Sequence, residues 1–197
     1  MGSAEMTIET NLKAEIIPFK SCGVITIGSS LSECTFLDDA LWLKKPINAD
    51  IDLVDSLGWV CERLLSKDGL VIVRTVCYYK NDIIMLCFNS KNILYFALMK
   101  KGFEGKVFGE IGIGSTLGEL RRFVEFEYDS GDEAYYPSEK SEIIGIAFYT
   151  GLSPYSGVDD EELFILEGGD LDHLDDDQEI IMISIQDWSL NDRKIEM

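Results

Sequence analysis

The sequence predicts an α+β fold built as a tandem repeat of two helix-plus-antiparallel-sheet units. Three observations lead there. An eleven-residue stretch recurs 86 positions further on: Gly23-Val24-Ile25-Thr26-Ile27-Gly28-Ser29-Ser30-Leu31-Ser32-Glu33 aligns with Gly109-Glu110-Ile111-Gly112-Ile113-Gly114-Ser115-Thr116-Leu117-Gly118-Glu119, with seven identities. Short runs with apolar alternation follow each copy, and clusters such as Asn89-Ser90-Lys91-Asn92 separate them as hairpin turns. An 86-residue period is too long for a solenoid unit, so the copies read as two related halves. The predicted boundaries are an N-terminal extension over 1–19 (a tag remnant at 1–4 plus a first strand), a first repeat over 20–102, and a second over 103–197 with acidic insertions.

Each copy reads as a strand, a glycine turn and a helix start. Ser30 with Glu33, and Thr116 with Glu119, have capping-box spacing, in which hydroxyl and carboxylate each satisfy a free backbone N–H. In the first half the pattern predicts a helix over 31–43, with Lys44 and Lys45 at its negative end, and another over 52–65 from Leu53, Leu57, Val60 and Leu64. Strands are expected at 70–78, 83–88 and 93–99. In the second half the expectations are strands at 107–113, 125–128, 143–149, 162–166 and 179–185 and a helix at 117–123. Residues 81–88 align loosely with 141–148, and 93–98 with 180–185.

Charge is distributed very unevenly. Residues 1–124 hold 14 Lys/Arg and 15 Asp/Glu, whereas residues 125–197 hold 3 and 21. Such a field repels nucleic acid and anionic membrane and attracts basic proteins or cations. With 46% hydrophobic residues the chain has the composition of a globular protein. No apolar run approaches the ~20 residues of a membrane span. The N-terminus lacks the basic and apolar regions of a signal peptide, and cytoplasmic residence is expected. The five cysteines, Cys22, Cys34, Cys61, Cys77 and Cys87, form no C-x-x-C pair and are expected to be reduced, mostly buried thiols.

No motif announces catalysis. His173 is the single histidine, too isolated for a triad or zinc site, and is read as an exposed loop residue. An EF-hand loop counted from Asp170 would put Asp175 where Gly is required and Ile181 where Glu is required. The Gly112-Ile113-Gly114 turn lacks the phosphate-loop pattern. No catalytic residue, cofactor or metal ligand is therefore assigned. The interaction candidates are Tyr128, Asp129, Asp132, Glu133, Tyr135 and Tyr136, then Tyr155, Asp159, Asp160 and Glu161, and the run Asp175, Asp176, Asp177. Tyrosine combines a rigid apolar body with a polar tip and serves as an interface anchor, while carboxylates steer a basic partner.

The order G-x-I-x-I-G-S-x-L-x-E, strands, and a diverged second copy resembles immunity proteins of bacterial contact-dependent growth inhibition and related polymorphic toxin systems, over residues 20–185. The tandem layout is also similar to the beta-lactamase-inhibitor-protein and outer-membrane assembly lipoprotein fold. The first resemblance implies a cytoplasmic antitoxin and not an enzyme: a monomer that forms a heterodimer with a toxin domain. The toxin expected is a basic nuclease, a ribonuclease before a deoxyribonuclease, whose nucleic-acid groove is covered by the acidic surface. The alternatives are a carboxylate-based metal-dependent enzyme and a generic acidic interaction module.

Overall fold

The structure, a computed structural model, describes residues 12–43, 58–67, 69–80, 82–152 and 175–192. It is a mixed α+β protein made mostly of sheet. Strands β1 (Ile16–Ile17), β2 (Ser21–Cys22) and β3 (Ile25–Thr26) form a small antiparallel sheet. Among the described residues, nine further strands form one large sheet. In chain order they are β4 (Leu41–Trp42), β5 (Trp59–Leu65), β6 (Ile72–Tyr79), β7 (Ile84–Phe88), β8 (Leu94–Lys100), β9 (Phe126–Asp129), β10 (Ala134–Pro137), β11 (Ile146–Tyr149) and β12 (Met182–Gln186). Their order across the sheet is β4-β5-β6-β7-β8-β12-β11-β10-β9. Only β4 pairs in parallel, with β5.

The strand order puts β5 to β8 beside β9 to β12 in reverse, joined where β8 pairs antiparallel with β12. The register at that seam has a twofold pattern. Leu98 pairs with Ser184, the residue 86 positions on, and Ala97↔Ile185 and Met99↔Ile183 flank them symmetrically. The matched G-x-I-x-I-G-S stretches dock onto this seam through equivalent backbone bonds. Gly28 N–H donates to Leu94 O (2.8 Å) and Gly114 N–H to Ile180 O (2.8 Å); Leu94 N–H donates to Ser29 O (2.9 Å) and Ile180 N–H to Ser115 O (2.8 Å). Gly28 and Gly114 both sit at positive φ (+90° and +88°), a conformation that only glycine adopts without strain.

The sheet has two chemically different faces, as period-2 alternation requires. One carries the main core, with Trp59, Tyr79, Leu86, Phe88, Met99, Tyr135, Phe148, Ile183 and Ile185 all buried, covered by Ile16, Cys22, Ile25, Leu37, Ile111, Leu117 and Leu120. The opposite face holds a smaller cluster, Val76, Cys87 and Tyr95, with Tyr78, Met85, Phe96 and Leu190 against it. Trp188 packs on that cluster with its ring tilted against Tyr95 and Phe96, 5.8 Å from each.

Several expectations need correction. Residues 31–43 form no α-helix: two single 3-10 turns, Leu31–Glu33 and Thr35–Leu37, meet at Cys34, whose ψ of 67° breaks the helix, and β4 follows. The stretch 59–65, expected at the end of a helix, is strand β5, entered from Gly58 at φ +78°; residues 52–57 of that expected helix lie outside the described residues. The expected strand at 107–113 shrinks to one bridge, Val107↔Ile111, because Phe108 and Gly109 both take positive φ and turn the chain. The helix expected at 117–123 does form, as α1 (Leu117–Arg121), and the strands at 70–78, 83–88, 93–99, 125–128, 143–149 and 179–185 are present with ends shifted by up to three residues. The strand expected at 162–166 lies outside the described residues. The alignment of 81–88 with 141–148 is two residues out of step, since Ile84 pairs with Met99 and Ile146 with Ile185, and that of 93–98 with 180–185 is one out, since Leu94 and Ile180 accept the equivalent glycine-turn bonds. Cys61 and Cys77 are not free thiols. They pair directly across β5 and β6 and are joined as a disulfide, while Cys22, Cys34 and Cys87 are buried outside it.

Candidate protein-interaction site

The β9–β10 hairpin ends the sheet and carries most of the described candidates. Phe126 and Tyr128 alternate inward, Glu127 and Asp129 outward, and the pairs Glu127↔Tyr136 and Asp129↔Ala134 set the outward row. The hairpin tip is fixed by Asp129, whose Oδ1 accepts from Gly131 N–H (2.7 Å) and Asp132 N–H (3.0 Å). Glu133 holds a left-handed conformation at φ +52°. Tyr136 is half-buried and donates its hydroxyl to Asp132 Oδ2 at 2.7 Å. Burial, with that carboxylate beside it, pushes the Tyr136 phenol upward, so it remains a neutral donor.

The exposed carboxylates Glu125, Glu127, Asp129, Asp132, Glu133 and Glu139 lie on this hairpin and its flanks, with Lys140 the one basic residue between positions 125 and 152. Charged edge strands also prevent edge-to-edge sheet pairing, so part of this charge serves the fold. Beside the acidic edge, the outward row continues across the sheet. The Tyr149 hydroxyl lies 3.4 Å from Ser184 Oγ, and Ser184 Oγ donates to Gln186 Oε1 at 3.0 Å. Tyr149 is also pushed up, first by burial. This second half of the outward face thus holds a polar network, with Ser184 and Gln186 buried and Tyr149 and Tyr136 half-buried, beside a negative rim.

Not every expected residue belongs there. Tyr135 is a core residue at 1% exposure, T-shaped against Phe126 (5.5 Å) and tilted against Tyr128 (5.0 Å). Tyr128 packs on the same core. Tyr135 therefore offers no anchor to a partner, whereas Tyr128 is partly exposed and borders the β9–β10 edge. Asp175 and Asp176 are also structural: each binds the Arg121 guanidinium at 2.6 Å, tying α1 to the start of the described C-terminal segment. Asp177 is exposed. Tyr155, Asp159, Asp160, Glu161 and His173 lie outside the described residues.

Sequence reasoning missed Glu127, Tyr149, Ser184, Gln186 and Glu139. The outward positions of β9, β11 and β12 follow from alternation, but which face takes the main core depends on what packs on the sheet. Among the described residues, no group of three or more His, Cys, Asp or Glu side chains is placed to hold a metal ion, and no helix is long and apolar enough to cross a membrane. Compared with protein families, curated proteins and solved structures, the chain matches none.

Proposed function

We propose that the chain is a stoichiometric binding protein, an immunity-type inhibitor that holds a basic toxin domain, a nuclease, in a heterodimer. The observation that carries this reading is the exposed acidic hairpin β9–β10 set beside half-buried Tyr136 and Tyr149 on the outward face of the sheet. Charge of one sign speeds encounter with a partner of the other, and tyrosines supply contact area at small entropic cost. The same reading takes the chain as two diverged copies of one unit in a beta-lactamase-inhibitor-like layout. The twofold register at β8–β12 and the shared bonds of the two glycine turns support it.

The test is to isolate the partner by co-purification, identify it, and measure binding kinetics at two salt concentrations. The double reversal Asp132→Lys with Glu133→Lys should mainly slow association, and the loss should shrink as salt rises, since the screening length is ~8 Å at physiological ionic strength. Tyr136→Ala should raise the dissociation rate, about tenfold or more for an anchor. Unchanged rates for all variants would reduce the acidic surface to a solubility device.

A further inference from the structure

A hollow of about 250 Å³ opens on the β9–β10 edge. Its lining includes Glu127, Asp129 and Glu139, the half-buried Tyr136, and Pro137 and Ser138 at the strand's exit. Glu127 and Tyr136 are direct cross-strand partners, and Tyr136 is held in place by its bond to Asp132. No Lys or Arg among the described residues pairs with the three carboxylates.

Ser138 supplies an independent observation. It is 7% exposed; its N–H donates to Glu125 O and its carbonyl accepts from Ser141 Oγ, both at 2.8 Å. Its own Oγ is buried and has no hydrogen-bond partner. A buried hydroxyl left unpaired is costly, so native proteins keep few of them without a reason. Here the orphan belongs to a residue lining a hollow flanked by unneutralised carboxylates.

The chemistry of a complementary ligand follows. It must be cationic, offer several donors and tolerate an aromatic wall. The carboxylates are not gathered as a metal site. A guanidinium meets each demand: five donors in a planar fork, a permanent charge, and a flat face that stacks on a phenol ring. An ammonium is a compact point charge and matches spread acceptors less well. We propose that this hollow is a socket for an arginine side chain of a protein partner, with Glu127 and Glu139 as carboxylate acceptors, Ser138 Oγ as a neutral acceptor and Tyr136 as the wall. The proposal rests on the binding reading above and names the side chain that reading would recognise.

Two blocked hexapeptides alternating glycine with arginine or with lysine serve as probes, titrated into the isotopically labelled protein at low salt and followed by amide chemical shifts. The arginine peptide should move the amides of residues 127–129 and 136–139 and bind more tightly than the lysine peptide. Glu127→Gln and Glu139→Gln should each weaken it about fivefold, as expected for a lost charge-assisted bond, and Ser138→Ala should weaken it too. Glu142→Gln and Asp187→Asn, away from the hollow, should change binding less than about twofold. Thermal melting checks that each variant is folded; Glu127 and Glu139 are exposed, so their variants keep the core intact. Equal binding of the two peptides, or equal losses in every acidic variant, would mean a diffuse negative field and overturn the socket while leaving the binding reading standing. No shift with either peptide would also overturn it, and the binding reading would then be decided by the salt-dependent kinetics of the Asp132 and Glu133 reversals.

Discussion

The two halves of the large sheet fill the same place in different ways. Following the pairing outward from the seam, one half runs Ala97–Leu86–Cys77–Cys61, and the other runs Ile183–Phe148–Tyr135–Tyr128. Where the first has two cysteines bridged across β5 and β6, the second has two tyrosines in ring contact across β9 and β10. One half is covalently stapled around small side chains, whereas the other relies on aromatic volume. The strand pairing is common to both, so the row of side chains and not the backbone decides how each half holds together.

Two truncations test that contrast, and they carry the largest expected effects. Tyr135→Ala removes a fully buried ring wedged between Phe126 and Tyr128, and aromatic-to-alanine changes in cores cost about 3–5 kcal/mol. Replacing Cys61 and Cys77 together by Ala releases a loop whose ends are 16 residues apart, which corresponds to about 3 kcal/mol. Denaturant titration of each variant gives both numbers. A cysteine variant as stable as the parent would remove the staple from the comparison. A Tyr135→Ala loss below ~1 kcal/mol, under the usual range for such a change, would mean that the second half collapses readily around the missing ring.

What the sequence made legible follows the same division between strong local patterns and tertiary choice. Strands β6, β7, β8, β11 and β12 are runs of Ile, Val, Phe and Tyr between turn residues, and both glycine turns were visible in the repeated stretch. The stretch 59–65 was misread because Val60 and Leu64 fit a helical spacing as well as one face of a strand, and a short apolar run cannot separate the two. The slip between 81–88 and 141–148 is two residues, which leaves inward and outward faces unchanged and so is invisible to an alternation pattern. In the candidate site, Asp129, Asp132, Glu133 and Tyr136 were found from composition. The inward turn of Tyr135 and the capture of Asp175 and Asp176 by Arg121 were not, since both depend on contacts more than 40 residues apart in the chain.

A smaller difference separates the two helix starts. At Thr116 the exchange is complete: Glu119 N–H donates to Thr116 Oγ1 (3.2 Å) and Thr116 N–H to Glu119 Oε2 (2.9 Å), and α1 follows. At Ser30 the hydroxyl turns to the Glu33 carboxylate instead (2.9 Å), Ser30 N–H donates to that same oxygen (2.7 Å), and only a 3-10 turn forms. Thr116→Ala should therefore cost about 1 kcal/mol, typical of a lost N-cap, and Ser30→Ala only a few tenths. Equal losses by chemical denaturation would show that the Ser30 hydroxyl does more than meet Glu33 at the surface.

A further predicted effect appears only in alkali and belongs first to the half with the cysteines. Burial holds Cys22 up at about 12 and Cys34, with Glu33 adding to burial, at about 11, against an ordinary 9.0. In the unfolded chain both thiols lose their protons near pH 9, while the folded protein keeps them. Between those limits the native state binds more protons than the unfolded one, so stability falls as pH rises, and the contribution is fully present only below about pH 9. The phenols of Tyr135 and Tyr136 in the second half, and of Tyr78 in the first, are also raised by burial, but from 10.0, and so act at higher pH. Urea midpoints measured from pH 8 to 11 should decline from about pH 9. Cys22→Ala with Cys34→Ala should delay that decline to the tyrosine range. The Cys61→Ala, Cys77→Ala background suits this measurement, because thiolates formed on unfolding would otherwise attack the disulfide. An unchanged onset near pH 9 in the variant without Cys22 and Cys34 would place the alkaline weakness elsewhere, Cys87 included.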